Sequence, residues 1–231
     1  MLAEAQLSPP LHVCFPRRGR RAEPMQIVLE HELSRDVAEA TTELLQVLCC
    51  GEESAVFAFR ALSRNAALSE AASATAQRIM HEEMFHDELL RGLRAVLPTP
   101  RPDEVLLGEL KGFYRSLGTR DIFVHLSQIC ALDSGVCIVL SALREKNRPL
   151  GGNRTLNALF GRIQRDEVGH VRDSGRLARE LGPLRERAEY LRRTRERLTD
   201  LILQRADPLE ALHVDPDALR RTLLHMPVSR R

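Results

Sequence analysis

Apolar side chains recur at helical spacing through most of this chain, and their pattern predicts four long helices. The first is predicted from about Ser34, a good N-cap, to about Ser63. Leu45, Leu48, Cys49, Glu52, Ala55, Val56 and Phe59 share one of its faces, and Glu52 is the only charge there. Glu53 is assigned to a different face, about 100° further round the helix. The second helix is predicted to start at Ser69 and end before Pro98, with Ala72, Ala76, Ile79, Met80, Glu83, His86, Asp87 and Leu90 along its stripe. A proline-punctuated turn over 99–103 leads to a short helix at about 103–116. The third long helix is predicted from about Asp121 to Lys146. Its inner stripe is Ile122, Leu126, Ile129, Cys130, Asp133, Val136, Cys137 and Leu140, again with one acid. After a turn at 149–153, the fourth carries Leu156, Phe160, Ile163, Glu167 and His170 up to Gly182.

Beyond these, 183–206 and 215–226 read as two further helices packed outside the bundle, the second with Asp215 as cap and Pro216 at its first position. In the first of the two, Glu alternates with Arg, the pattern of a solvated face, beside a stripe of Leu191, Leu198, Leu201 and Ile202. Residues 1–24 have no period and read as a flexible arm, with Met25 an alternative start. Residues 25–231 therefore form a single domain whose bundle core spans about 34–181.

Composition agrees with an all-α protein: Val and Ile are sparse beside Leu, Ala, Arg and Glu. At 231 residues and 43% hydrophobic content the chain can bury a sizeable core. A net charge of +2 gives no reason to expect a nucleic-acid partner. No apolar run is read as approaching the roughly 20 residues that span a bilayer, and no signal peptide is legible. A cytoplasmic protein with no membrane partner is expected, its five cysteines free thiols rather than a disulfide framework.

Two motifs alter this picture. Glu83-x-x-His86 and Glu167-x-x-His170 each set a carboxylate and an imidazole on one helical face, close enough to share a metal ion. Each follows, one long helix earlier, a lone acid in an apolar stripe: Glu52 for the first and Asp133 for the second. One acid from each of two helices and Glu-x-x-His from each of the other two is the ligand set of a bundle-core di-metal site. Four carboxylates balance two divalent cations, and carboxylate with imidazole suits iron or manganese. Without a cation those acids would cost several kcal/mol each in an apolar core, or stay protonated. Glu82 and Asp166 directly precede the two ligand glutamates, where each is placed to orient the histidine of the opposite helix. Cys130 and Cys137 lie one turn either side of Asp133. They read as small core hydrophobes or, together with Phe59 and Met80, as candidate walls of a substrate pocket.

Taken together, Gly51-Glu52, Glu83-x-x-His86, Asp133 and Asp166-Glu167-x-x-His170 resemble the ferritin-like di-iron carboxylate superfamily, over roughly residues 34–181. The first and last motifs look like those of multicomponent monooxygenase hydroxylases, the ribonucleotide reductase small subunit and the aldehyde-deformylating oxygenases. The resemblance implies a ferritin-like four-helix bundle and a non-haem pair of iron ions (or iron with manganese) that activates dioxygen. It also implies the ligands Glu52, Glu83, His86, Asp133, Glu167 and His170, and an external electron donor. Asp133 stands where these families usually have Glu. Leu90 stands where the reductase has its radical tyrosine, and with only Tyr114 and Tyr190 and no Trp a long-range radical relay is not expected. The reading that remains is a small oxygenase or oxidase acting on a largely apolar small molecule. A ferroxidase or iron-holding protein is the alternative, and a tRNA-modifying hydroxylase a lesser one. A homodimer is compatible with the sequence.

Overall fold

Side-chain caps start most of the helices. Ser69 accepts a hydrogen bond from the Ala72 N–H (3.2 Å), Asp103 from Leu106 (2.9 Å), Asp121 from Val124 (3.1 Å) and Asn153 from Leu156 (3.1 Å). Each satisfies one of the donors that the first turn of a helix leaves unpaired. Asp215 does the same for Ala218 at 3.1 Å, with Pro216 at the first helical position. Ser34 also precedes a helix, yet its side chain makes no capping bond.

The computed structural model describes residues 25–99 and 103–225; the expected arm at 1–24, most of the 99–103 turn and the chain end after His225 lie outside them. The described residues hold nine helices and no strand: α1 (Arg35–Leu62), α2 (Glu70–Ala95), α3 (Glu104–Ser116), α4 (Ile122–Leu143), α5 (Pro149–Gly152), α6 (Arg154–Leu181), α7 (Leu184–Leu203), α8 (Ala206–Ala211) and α9 (Pro216–His225). The predicted helix boundaries agree within a residue or two, except at the end of α7, which stops at Leu203, and at the end of α4. That helix stops at Leu143, and the turn after it contains the short α5. The α8 turn was not anticipated.

α1 packs along α2 and α4 along α6, and the two hairpins meet where α2 contacts α6. On the opposite side α1 and α4 barely touch. Leu44 and Leu45 share one apolar cluster with Leu90, Leu93, Val139, Leu140 and Phe160. Phe59 and Leu62 share another with Ala76, Ile79, Leu126 and Ile129. The start of α1 therefore lies beside the end of α4, and the two run antiparallel. α2 ends in the first cluster and α4 begins in the second, so α3 carries the chain from one end of the bundle to the other. All-α bundle architecture follows directly: each long helix buries its stripe against a neighbour.

Before α1, Ile27, Leu29 and Leu33 pack on the core, and the segment is tied to α6 where Asn153 and Thr155 donate to the carbonyls of His31 and Val28. It crosses α2 at Gly92, whose missing side chain is required there, because a Cβ would collide with the Met25 carbonyl.

Two expectations change, for α4 and for the cysteines, while α7 buries the stripe predicted for it. α4 is in fact long and apolar enough to cross a membrane by length and composition, although here 67% of its most apolar stretch is buried among other helices. α7 is solvated on one face only. Glu189, Arg192, Arg193 and Glu196 pair with one another in solvent, while Arg187, Leu191, Arg195, Leu198 and Ile202 are buried against the bundle. Cys49, Cys130 and Cys137 are free thiols, but Cys50 is disulfide-bonded.

Candidate metal centre

Each of the four long helices sends a carboxylate to the middle of the bundle, and α2 and α6 add a histidine each. Glu52, Glu83, His86 and Glu167 hold ligand-type atoms all within 4.8 Å of one another, as do Asp133, Glu167 and His170. All six side chains are buried, the two histidines completely. The spacing that places them is the one-face geometry of Glu-x-x-His on two facing helices.

Glu83 and Glu167 occupy the centre. Glu83 directs Oε2 to within 3.5 Å of His86 Nδ1 and Oε1 to within 3.1 Å of His170 Nδ1. Glu167 mirrors it, with Oε1 3.5 Å from His86 Nδ1 and Oε2 3.4 Å from His170 Nδ1. Glu52 closes the His86 side at 3.4 Å. Each central carboxylate thus offers one oxygen to either half of the cluster, the posture of a bridging ligand.

The outer edges of both imidazoles are held. His86 Nε2 lies 3.2 Å from Asp166 Oδ2, and His170 Nε2 lies 2.9 Å from Glu82 Oε2. These contacts cross between α2 and α6 in a near two-fold arrangement. Each acid is held in turn by an arginine one turn before it: Arg162 donates to Asp166 at 2.8 Å, and Arg78 donates to Glu82 at 2.5 Å and to Asp173 at 2.6 Å. A carboxylate on Nε2 leaves Nδ1 facing inward with its lone pair available, which is how metal-binding histidines are usually fixed. We predict that Glu82→Gln and Asp166→Asn each weaken metal affinity about 10–100-fold while leaving the melting temperature of the metal-free protein within a few degrees. Unchanged affinity in a calorimetric titration would show that these contacts do not orient ligands.

The electrostatics call for positive charge. Burial pushes the Glu52 carboxyl well above the usual carboxylate range, and the neighbouring Glu83 charge adds to it. Burial does the same to Asp133, reinforced by Glu167. For His86 burial favours the neutral ring, but Glu52, Glu167 and Glu83 outweigh it and hold the imidazole well above its ordinary value. His170 behaves alike under Glu167, Glu82 and Glu83. In the metal-free cluster, protons on the two imidazoles supply the cationic charge that the carboxylates demand. Glu52 Oε2, both oxygens of Glu83, Asp133 Oδ2, Glu167 Oε2 and the Nδ1 atoms of both histidines make no hydrogen bond among the described residues. Inward-aimed buried donor atoms held at most by ion-pair contacts of 3.1–3.5 Å, with no aligned hydrogen bond, are costly. The donor set, its charge and these atoms all fit two divalent cations.

Glu53 keeps the separate face assigned to it, outside the ligand-type cluster, but it is buried as deeply as Glu52, on the side of α1 where Cys49 feels Asp87 and Arg94 as well as Glu53. That side of α1 faces α2, where buried charges gather in a separate cluster. Glu52→Ala is therefore expected to impair metal binding. Glu53→Ala is expected to preserve metal binding but to cost about 1–3 kcal/mol of stability, because its buried partners would be left unsatisfied. Denaturant unfolding of both variants, with metal titrations, checks the contrast. Loss of metal from Glu53→Ala alone would reverse the assignment.

A cavity of about 350 Å³ opens directly beside the cluster, in the gap between α1 and α4. Glu52, Glu83, Asp133 and Glu167 form part of its wall. Leu44, Leu48, Ala55, Leu132, Val136 and Val139 make up much of the remainder, and Leu198 and Ile202 of α7 help to cover it. Tyr114 reaches in from α3. Its hydroxyl packs against Gly51, where a Cβ would stand only 3.0 Å away, so the glycine next to Glu52 makes room for it. Burial, then the charges of Glu52 and Asp133, push the Tyr114 hydroxyl upward, consistent with its place beside the acids.

The expected pocket walls lie elsewhere. Phe59 fills the core with its ring 6.2 Å from His170, and Met80 packs in the same apolar cluster. Cys130 donates to the Val171 carbonyl and accepts from Arg187. Burial pushes the Cys137 thiol up to about 12, with Glu167 and Asp133 adding to it. None of these four lines the cavity. They sit on the faces of α1, α2 and α4 turned towards α6 and α7, whereas the cavity is on the α1–α4 side. Comparison with models of known protein families, with curated proteins and with solved structures finds no match for this chain.

Proposed function

We propose that this chain is a dioxygen-dependent di-iron oxidoreductase of ferritin-like type, which oxidises a small, largely apolar organic molecule. The observation that carries the reading is the shared wall: four of the six ligand-type residues also face an apolar cavity. Glu52, Glu83, His86, Asp133, Glu167 and His170 would hold two iron ions, or iron with manganese. Bound there, such a metal pair supplies the redox chemistry of dioxygen activation. The chain supplies the rest. Glu82 and Asp166 hold the imidazole tautomers, Glu83 and Glu167 set the separation of the two halves, and the α1–α4 cavity positions an apolar molecule and excludes water.

An iron-holding protein would need carboxylates along a path for the ion. In the cavity wall the carboxylates are the ligand-type residues themselves. The two readings separate by a simple measurement. With excess ferrous iron in air, followed by sizing, the protein is expected to remain small and to carry about two irons per chain. A large cage bearing many irons per chain would overturn the oxygenase reading and favour storage.

A further inference from the structure

The cavity is apolar along most of its length but not at both ends. Because α1 and α4 are antiparallel, Leu44, Val47 and Val139 lie at one end, covered by Leu198 and Ile202. At the other end stand Ala58 and Ala61 of α1, His125 and Gln128 of α4, and Thr119 from the turn before α4. At 1.5 Å per residue, Gln128 and His125 lie about 7 and 12 Å along α4 from Asp133, and Val139 lies about 9 Å beyond it on the other side. The acid cluster is thus beside the middle of the cavity.

Gln128 carries the decisive feature. Its Oε1 is fully buried and makes no hydrogen bond among the described residues. No water molecule reaches that oxygen, so it meets a cavity ligand only after the terminal amide turns about its last side-chain bond, a soft torsion. The cost of leaving a carbonyl orphaned favours that turn. His125 stands one turn away, and burial lowers its imidazole below the ordinary value, so the ring is neutral at pH 7. Among the cavity-lining residues the one arginine is Arg115, which is exposed and therefore hydrated. A neutral amide and a neutral imidazole recognise a neutral hydrogen-bonding group. Among the described residues that line the cavity, no buried lysine or arginine stands beside them to pair with an anion.

We propose that the cavity takes a linear amphiphile with a neutral hydroxyl head, seated at Gln128 and His125, whose apolar chain runs past the Glu52–Asp133 wall towards Val139 and Ile202. A hydroxyl both donates and accepts, so it satisfies the Gln128 amide and the imidazole together. At about 30 Å³ per water-sized group, 350 Å³ holds about a dozen non-hydrogen atoms, the size of a medium-chain alcohol. The acid cluster faces the interior of the chain rather than its head. Naming this amphiphile as the substrate rests on the oxidoreductase reading; its binding does not.

The test is calorimetric titration of the metal-free protein with 1-octanol, octanoate and octylammonium at pH 7, so that its outcome is independent of metal chemistry. Octanol is expected to bind at least tenfold more tightly than either charged analogue. Gln128→Leu is expected to weaken octanol at least tenfold, and His125→Leu offers a second variant if that one unfolds. Across hexanol, heptanol and octanol, affinity should rise about fourfold per methylene while the apolar half fills. Equal or tighter octanoate binding that Arg115→Leu abolishes would overturn the neutral head. A flat chain-length series, or octanol binding indifferent to both Gln128→Leu and His125→Leu, would overturn the orientation. Octanol binding in a protein that takes up no iron would instead defeat the oxidoreductase reading and leave this one standing.

Discussion

Anaerobic titration with ferrous iron is expected to saturate at two ions per chain, and ligand variants should fall into two groups. Glu83 and Glu167 each set one oxygen beside either histidine, at 3.1–3.5 Å. Removing either one damages both halves, so Glu83→Ala and Glu167→Ala should bind no iron at concentrations that saturate the wild type. Glu52 and His86 belong to one half, and Asp133 and His170 to the other. Glu52→Ala and His86→Ala should therefore retain about one ion, as should Asp133→Ala and His170→Ala. Loss of an outer carboxylate typically weakens a metal about 10–100-fold, so loss of a direct ligand should exceed that. Elemental analysis after gel filtration reads the count. If all six variants lose the same fraction, the halves are not separate and the central position of the two glutamates means nothing for binding.

Metal is also expected to stabilise the fold strongly, and more so as pH rises. At free metal a thousandfold above Kd, binding to the folded state alone adds about 4.1 kcal/mol. For a chain of this size each kcal/mol shifts the melting temperature by about 2–4 °C, so a rise of about 8–16 °C is expected. The sign with pH follows from the protons. Burial holds Glu52 and Asp133 protonated well above the carboxylate range, and the surrounding acids hold His86 and His170 protonated. A group with a raised folded pKa stabilises the metal-free protein fully below its unfolded pKa and loses that contribution as pH rises through the folded one. Metal must displace these same protons, so its affinity grows with pH while the metal-free protein weakens. Thermal melts with and without ferrous iron from pH 5.5 to 8 should show the gap widening. A constant or narrowing gap would mean that the ion displaces no protons and binds elsewhere.

The helices were legible because their signals are local. Ser69, Asp121 and Asn153 act through a bond three residues away, and Pro98 marks a point beyond which α2 cannot continue. Glu-x-x-His was legible for the same reason: i and i+3 share a face wherever the helix goes. The cross-bundle pairing of Glu82 with His170 and Asp166 with His86 follows from placing two such motifs face to face. The burial of Glu53 was not legible, because α1 buries most of its circumference. A pattern with one apolar stripe cannot describe a helix that packs on α2, α3 and α8 as well as lining a cavity.

The cavity shows the same limit more sharply. α4 is apolar on nearly every face, so its sequence could not tell the side towards α6, with Cys130, from the side with Ile129, Leu132, Val136 and Val139. Helical periodicity and the chemistry of buried acids are written within each segment, so the long helices, their order and the six residues able to gather around two cations could be read from the chain alone. Only the tertiary structure decided that α1 and α4 stand apart, and that Tyr114, Leu198 and Ile202 come from distant segments to cover the gap. Such a gap is a property of how whole helices pack, with no spacing rule inside any one of them to announce it.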